Sequence, residues 1–140
     1  MRLLVDTNVF LDYLFRREDK WKDALNFFVW CRENKSQTFI SSISLRDIEY
    51  VAHKYCHDKS KANEVLLDVY SLCSKVIGVS ADSAINAIYE GYKDYEDELQ
   101  IQSAIESTLD GIVTNNVKDF ENRGIVVYTP KQIVSLINNQ

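Results

Sequence analysis

Apolar residues in this chain fall into short β-branched runs separated by longer stretches with helical spacing. The runs are Leu3 to Val5, Thr38 to Ser41, Val76 to Val79, Ile112 to Thr114 and Ile125 to Tyr128. Each has the length of a buried strand. Between them the spacing predicts helices from about Asn8 to Phe15, Lys20 to Glu33, Ser44 to His57, Lys59 to Ser74 and Ala81 to Tyr92. Another begins near Asp97 and stops at Gly111. Ser80 is placed to cap the fifth of these helices. Thr129-Pro130-Lys131-Gln132 supplies a capping Thr, a Pro at the first helical position and a Gln three residues after the cap, so a last helix should run through Ile133, Leu136 and Ile137. Such alternation predicts an α/β domain with a mostly parallel sheet of about five strands. The break near His57-Asp58 makes Ser44 to Ser74 a helical hairpin inserted between strands, able to wall a cleft.

Composition changes this picture little. A length of 140 residues, 46% of them apolar and 26% charged, with 4 Gly and 1 Pro, suits one domain spanning 1–140. Cys31, Cys56 and Cys73 are odd in number and lack a C-x-x-C spacing, which favours reduced thiols. Neither a secretory leader nor a membrane span is visible, so a cytoplasmic protein is expected. The net charge of −5 argues against a protein that coats nucleic acid through phosphate neutralisation. It leaves a nucleic-acid enzyme possible, because a cation bound among clustered acids sets the local field.

The carboxylates carry the chemistry. Asp6 interrupts an apolar run just where the first strand ends, the place where open parallel sheets bind ligands. An N-cap explains it equally well. Asp47 lies near the start of an amphipathic helix, although Ser44-Leu45-Arg46-Asp47 also has the form of a capping box. Glu49 is turned about 200° away from it and should serve a different point. Asp94, Glu96, Asp97 and Glu98 crowd one helix start, where the macrodipole favours solvated acids. Asp97 differs, because Ile101 and Ala104 share its face and direct it toward the core edge. Asp119 follows Thr114, Asn115 and Asn116 at another strand end, where turn chemistry is the ordinary account. Convergent carboxylates without matching cations would bind a hard divalent ion such as Mg²⁺ or Mn²⁺.

Asp6-Thr7-Asn8, Ser44-Leu45-Arg46-Asp47-Ile48, Asp94 to Gln100 and Val113 to Phe120, in that order, resemble the PIN-domain family of nucleases. The likeness covers nearly the whole chain and is closest to small bacterial members, among them VapC-type toxins of toxin–antitoxin pairs. It implies a three-layer α/β/α fold and Mg²⁺- or Mn²⁺-dependent hydrolysis of RNA. The family's catalytic, metal-binding acids fall on Asp6, Asp47, Asp97 and the more variable Asp119, supported by Asn8, Thr114 and Asn116. Where this chain has Asp47 the family more often has Glu, so Glu49 is a lesser substitute; Asp94 is another lesser candidate. An antitoxin partner and a homodimer are further implications, and a housekeeping RNA-processing nuclease is the alternative role.

Weaker signals lie on the hairpin. Arg46, Lys54, Lys59 and Lys61 could form a phosphate-binding edge beside the cleft, Arg46 above all, or a solvated face. Tyr50, Tyr55, Tyr70 and Tyr92 suit core or interface positions more often than base stacking. An aspartyl-phosphate enzyme would need a second acid where Asn8 stands. A PIN-like module that binds RNA or protein without cutting is the non-enzymatic rival, and the retained acids argue against it.

Overall fold

Leu3, Leu4 and Val5 are wholly buried because β1 (Arg2–Val5) is the central strand of the sheet. The computed structural model describes residues 1–136; Ile137, expected at the end of the last helix, lies outside the described residues. After β1 come α1 (Thr7–Leu14), α2 (Lys20–Glu33), β2 (Gln37–Ser41), α3 (Ser42–Cys56), α4 (Lys59–Leu72) and β3 (Lys75–Ile77). The second half contains α5 (Ala81–Glu90), α6 (Tyr95–Glu106), β4 (Gly111–Val113), a 3-10 turn (Val117–Asp119), β5 (Val127–Tyr128) and α7 (Pro130–Ser135). None of the described helices is long and apolar enough to cross a membrane.

The strand order is β3-β2-β1-β4-β5, and every neighbouring pair is parallel. Leu4 pairs with Phe39 on one side and Ile112 on the other. The chain therefore winds outward from β1 through β2 and β3, then returns to lay β4 and β5 on the opposite side. Winding direction reverses between β1 and β4, and a crevice opens at the carboxyl ends of strands where it does. Asp6 follows β1 there, and Thr114 follows β4.

Alternate strand residues serve opposite faces. Leu3, Val5, Ile40 and Val113 pack with Phe10, Phe27, Ile48, Val69 and Ile133, which places α1 to α4 and α7 on one side. Leu4, Phe39, Ile77 and Ile112 pack with Ile101 and Ala104 of α6 on the other, and α5 packs against α6. The result is the three-layer α/β/α architecture. The hairpin is present as α3 and α4, broken at His57, whose φ of 50° is left-handed.

Several boundaries differ from the sequence pattern. Gly111 does not end α6, which stops at Glu106; it opens β4, where a Cβ would stand 2.9 Å from the Tyr128 ring and 3.0 Å from the Val126 carbonyl. The apolar runs at Val76 to Val79 and Ile125 to Tyr128 overstate β3 and β5, which are shorter. Ser44 is no capping residue. Ser41 takes that role, its hydroxyl accepting from the Ile43 amide at 3.3 Å, while Ser44 is buried inside the helix. Asp47 is thereby released from the capping-box explanation.

Candidate active site

Asp6 occupies the N-cap position of α1, but its side chain does not bond the helix amides that a cap would serve. It is held from other elements instead. Thr114 donates its hydroxyl to Oδ2 at 2.9 Å, and Gln100 of α6 donates its amide to Oδ1 at 3.1 Å. The Asn116 amide donates in turn to the Thr114 hydroxyl at 2.9 Å, so the turn after β4 fixes the residue that fixes Asp6. Asp6 is 3% exposed, and burial raises its pKa; the Gln100, Thr114 and Thr7 donors oppose that rise.

The start of α6 divides its four acids among different tasks. Asp94 is the cap: its Oδ1 accepts from the amides of Glu96 at 2.9 Å and Asp97 at 3.1 Å. Asp97 is half-buried, and its carboxyl is pushed up to about 7, first by burial and then by the charges of Asp94, Asp6 and Asp119. Glu96, grouped by the sequence pattern with the solvated acids, is half-buried as well. Its carboxyl rises to about 8, through burial first and then through contact with Asp47, with Asp6 and Asp94 adding. Glu98 also departs from the solvated reading. It is completely buried and paired with Arg123, whose Nη2 lies 2.6 Å from Oε1 and whose Nη1 lies 2.5 Å from Oε2. The Arg123 guanidinium rests 4.4 Å from the centre of the Tyr92 ring. Glu98 is thus neutralised locally, whereas Glu96 and Asp97 face other acids.

Asp47 projects from α3 toward Glu96, and its Oδ2 is buried without a donor. Two carboxylates in contact need a proton or a cation between them. Arg46 approaches the outer oxygen at 3.4 Å but is 80% exposed, and so screens the charge weakly. Glu49 is not among the charges that act on Glu96 or Asp97, which come from Asp47, Asp6, Asp94 and Asp119. Asp119 stands exposed on the 3-10 turn, at the rim. Asn8 lies on the α1 side, lining a polar pocket with Asp12, Asn115 and Asn116.

Three site features escaped the sequence pattern. Gln100 is three residues after Asp97 and shares its helix face, a spacing that could have flagged it. Glu96 looked like an ordinary first-turn acid, and only the approach of α3 sets it apart. Asp12, one turn after Asn8, is 4% exposed and accepts from the Asn115 side chain at 2.8 Å.

The donor set suits a hard divalent cation. It consists of carboxylate and amide oxygens, and two buried acceptors, Asp47 Oδ2 and Gln100 Oε1, have no donor. Among the described residues no three Asp, Glu, His or Cys side chains are drawn tightly enough together to enclose an ion as they stand. Water could complete the coordination of an ion held by fewer direct ligands.

Comparison with known proteins agrees with this geometry. The family model for the PIN domain matches residues 2–118. Among solved structures, the DNA-bound VapBC of Salmonella typhimurium aligns at 22% identity over 93% of this chain and 98% of the other, with a TM-score of 0.70. A toxin–antitoxin complex from Klebsiella pneumoniae aligns at 27% identity over 91% and 97%, with a TM-score of 0.63. VapC20 of Mycobacterium tuberculosis, described as a sarcin–ricin loop cleaving toxin, aligns at 15% identity over 89% and 96%, with a TM-score of 0.67. No curated protein matches by sequence. With its acids gathered at the reversal of the sheet and the family model spanning most of its length, the chain belongs to the PIN-domain family of nucleases.

Proposed function

We propose that this protein is a Mg²⁺- or Mn²⁺-dependent endoribonuclease, the toxin of a toxin–antitoxin pair acting in the cytoplasm. The observation that carries the reading is the uncompensated acid cluster, with Glu96 raised to about 8 and Asp97 to about 7 beside Asp6 and Asp47. Groups shifted in this way, by burial and by one another, mark functional clefts. The toxin–antitoxin relatives, one of them described as cleaving the sarcin–ricin loop, support an RNA substrate and an antitoxin partner. A homodimer accords with the exposed aromatic and aliphatic side chains of α5, including Tyr89 and Ile88.

Asp6 and Asp97 would hold the ion, with Asp47 contributing directly or through water and Asp119 from the rim. Glu96 stands where a longer side chain could complement the short Asp47. A bound divalent cation supplies Lewis acidity: it orients a scissile phosphate, lowers the pKa of a water and offsets transition-state charge. The protein's own part is preorganisation. Gln100 and Thr114 fix both oxygens of Asp6 before substrate arrives, so little reorientation is required during reaction. No nucleophilic side chain is needed.

The test is Mn²⁺-dependent cleavage of a panel of structured RNAs by the protein and by its Asp6→Asn and Asp97→Asn variants. Loss of cleavage in both, with circular dichroism unchanged, is expected. Full activity in either folded variant defeats the mechanism. RNA binding without turnover under all metal conditions would instead favour a non-catalytic module.

A further inference from the structure

Arg17 stands at the seam of two concavities, and nothing in the proposed chemistry uses it. On one side is the polar pocket of Asn8, Asp12, Lys20, Asn115 and Asn116; Glu18 stands at its edge. On the other is a shallow groove formed by Tyr50, Val51, Lys54 and Tyr55 of α3. Arg17 lines both. The connection between α1 and α2 holds it there by an uncommon backbone path. Arg16 and Glu18, on either side of it, have left-handed φ values of 48° and 45°, and the Arg17 amide donates to the Asp12 carbonyl at 3.1 Å. Non-glycine residues keep such angles only where their surroundings enforce them, and they concentrate at functional sites.

The two concavities differ in chemistry. In the pocket, Asp12 is occupied by the Asn115 side chain, and the Lys20 and Arg17 charges act on it favourably. That pocket also continues the acid site, since Asn115 and Asn116 directly follow the Thr114 that holds Asp6. In the groove, Tyr50 and Tyr55 are each 62% exposed. Phe15, from the loop that carries Arg17, stacks on Tyr55 with ring centres 5.1 Å apart. Aromatic faces interleaved with cations form a surface for single-stranded nucleic acid, which stacks its bases and pairs its phosphates.

We infer that Arg17 binds a backbone phosphate of single-stranded RNA flanking the cleaved bond, and that the strand continues from the acid site over Arg17 onto Tyr50 and Lys54. The inference rests on the endoribonuclease reading and adds a substrate track to it. Charge complementarity selects the occupant: a chain with a net charge of −5 places Arg17, Lys20 and Lys54 along one path leading from its acids. The track also assigns a role to Tyr50 and Lys54 beyond a solvated helix face.

The experiment compares the full-length protein with its Arg17→Ala, Arg17→Lys and Tyr50→Ala variants. Fluorescence anisotropy with a short labelled single-stranded RNA in EDTA, over a salt series, reads binding, and Mn²⁺-supported cleavage reads kcat and KM. Arg17→Ala should weaken binding about tenfold and reduce the salt slope by about one, raising KM with kcat nearly unchanged. Arg17→Lys should keep the salt slope while recovering part of the affinity. Tyr50→Ala should weaken binding about fivefold or more without changing the slope. Cleavage by the wild-type protein together with unaltered RNA affinity and salt slope in Arg17→Ala overturns the track and leaves the nuclease reading intact. Reduced affinity for an acidic protein partner with RNA binding preserved also overturns it. A wild-type protein that neither binds nor cuts RNA defeats the nuclease reading itself.

Discussion

The most informative residue is Gln100, because its side chain ties α6 to the end of β1. Its Nε2 supplies one of the two side-chain donors to Asp6, a carboxylate with almost no access to solvent. A hydrogen bond to a charged group contributes about 1.5–3 kcal/mol, and a buried acceptor left without its donor is costly. Gln100→Ala should therefore lower kcat by about tenfold or more and destabilise the fold by about 2 kcal/mol. Urea denaturation and single-turnover cleavage would check both, and wild-type kcat would show that Asp6 needs no such anchor. Asp6, Asp47 and Asp97 stood out in the sequence because acids interrupting apolar patterns are conspicuous. Glu96 did not. Its distinction is the approach of Asp47 from another helix, a tertiary fact that no local spacing records.

Among the elements, α6 carries the candidate site and is itself anchored by the pair of buried Glu98 with partly exposed Arg123. Removing one partner leaves an uncompensated charge, at a cost of about 3–5 kcal/mol when both are buried and about 2 kcal/mol where, as here, one reaches solvent. Arg123→Ala should show a loss of that size in chemical denaturation, and adding Glu98→Gln should recover part of it. Equal stability of the single and double variants would argue against an uncompensated charge. At α7, Thr129 and Gln132 bond reciprocally at 3.1 and 2.8 Å, as the sequence predicts. Thr129→Ala should cost about 1 kcal/mol, read from the same denaturation curves. The helices were legible from periodicity and caps; α2 begins and ends where its pattern does. Strand ends were less so, because β3 and β5 are edge strands whose extent is set by pairing rather than by their own residues. Gly111 misled for a related reason. Its smallness accommodates Tyr128 across the sheet and does not serve the preceding helix.

At the scale of the whole molecule, the raised carboxyls of the acid cluster make stability depend on pH, and the proposed ion would make it depend on metal as well. Glu96 and Asp97 hold protons more tightly in the folded state, at about 8 and about 7, than at their ordinary values of 4.5 and 3.8. Stability from these protonated forms is full below the ordinary values and is lost as pH rises through the folded ones. In EDTA the melting temperature should accordingly fall between about pH 5 and about pH 8, and Mn²⁺ should raise it more at the higher pH. Equal metal shifts at both pH values would dissociate the ion from these carboxylates. The α/β class was readable from the alternation of strand and helix patterns. Which strand lies beside which was not, and that order decides that Asp6 meets Thr114.

The same strand order has a consequence for how the protein is made. Asp6 is synthesised well before its donors Gln100 and Thr114, which lie 94 and 108 residues further along the chain. At ordinary translation rates the interval is roughly 5 to 20 seconds. During that time β1 can pair with β2 but lacks β4, its other neighbour in the finished sheet. The hydrogen-bonded setting of Asp6 is therefore incomplete until both distant segments have been made. It is completed late, when α6 and the turn after β4 bring their donors to a carboxylate made long before them.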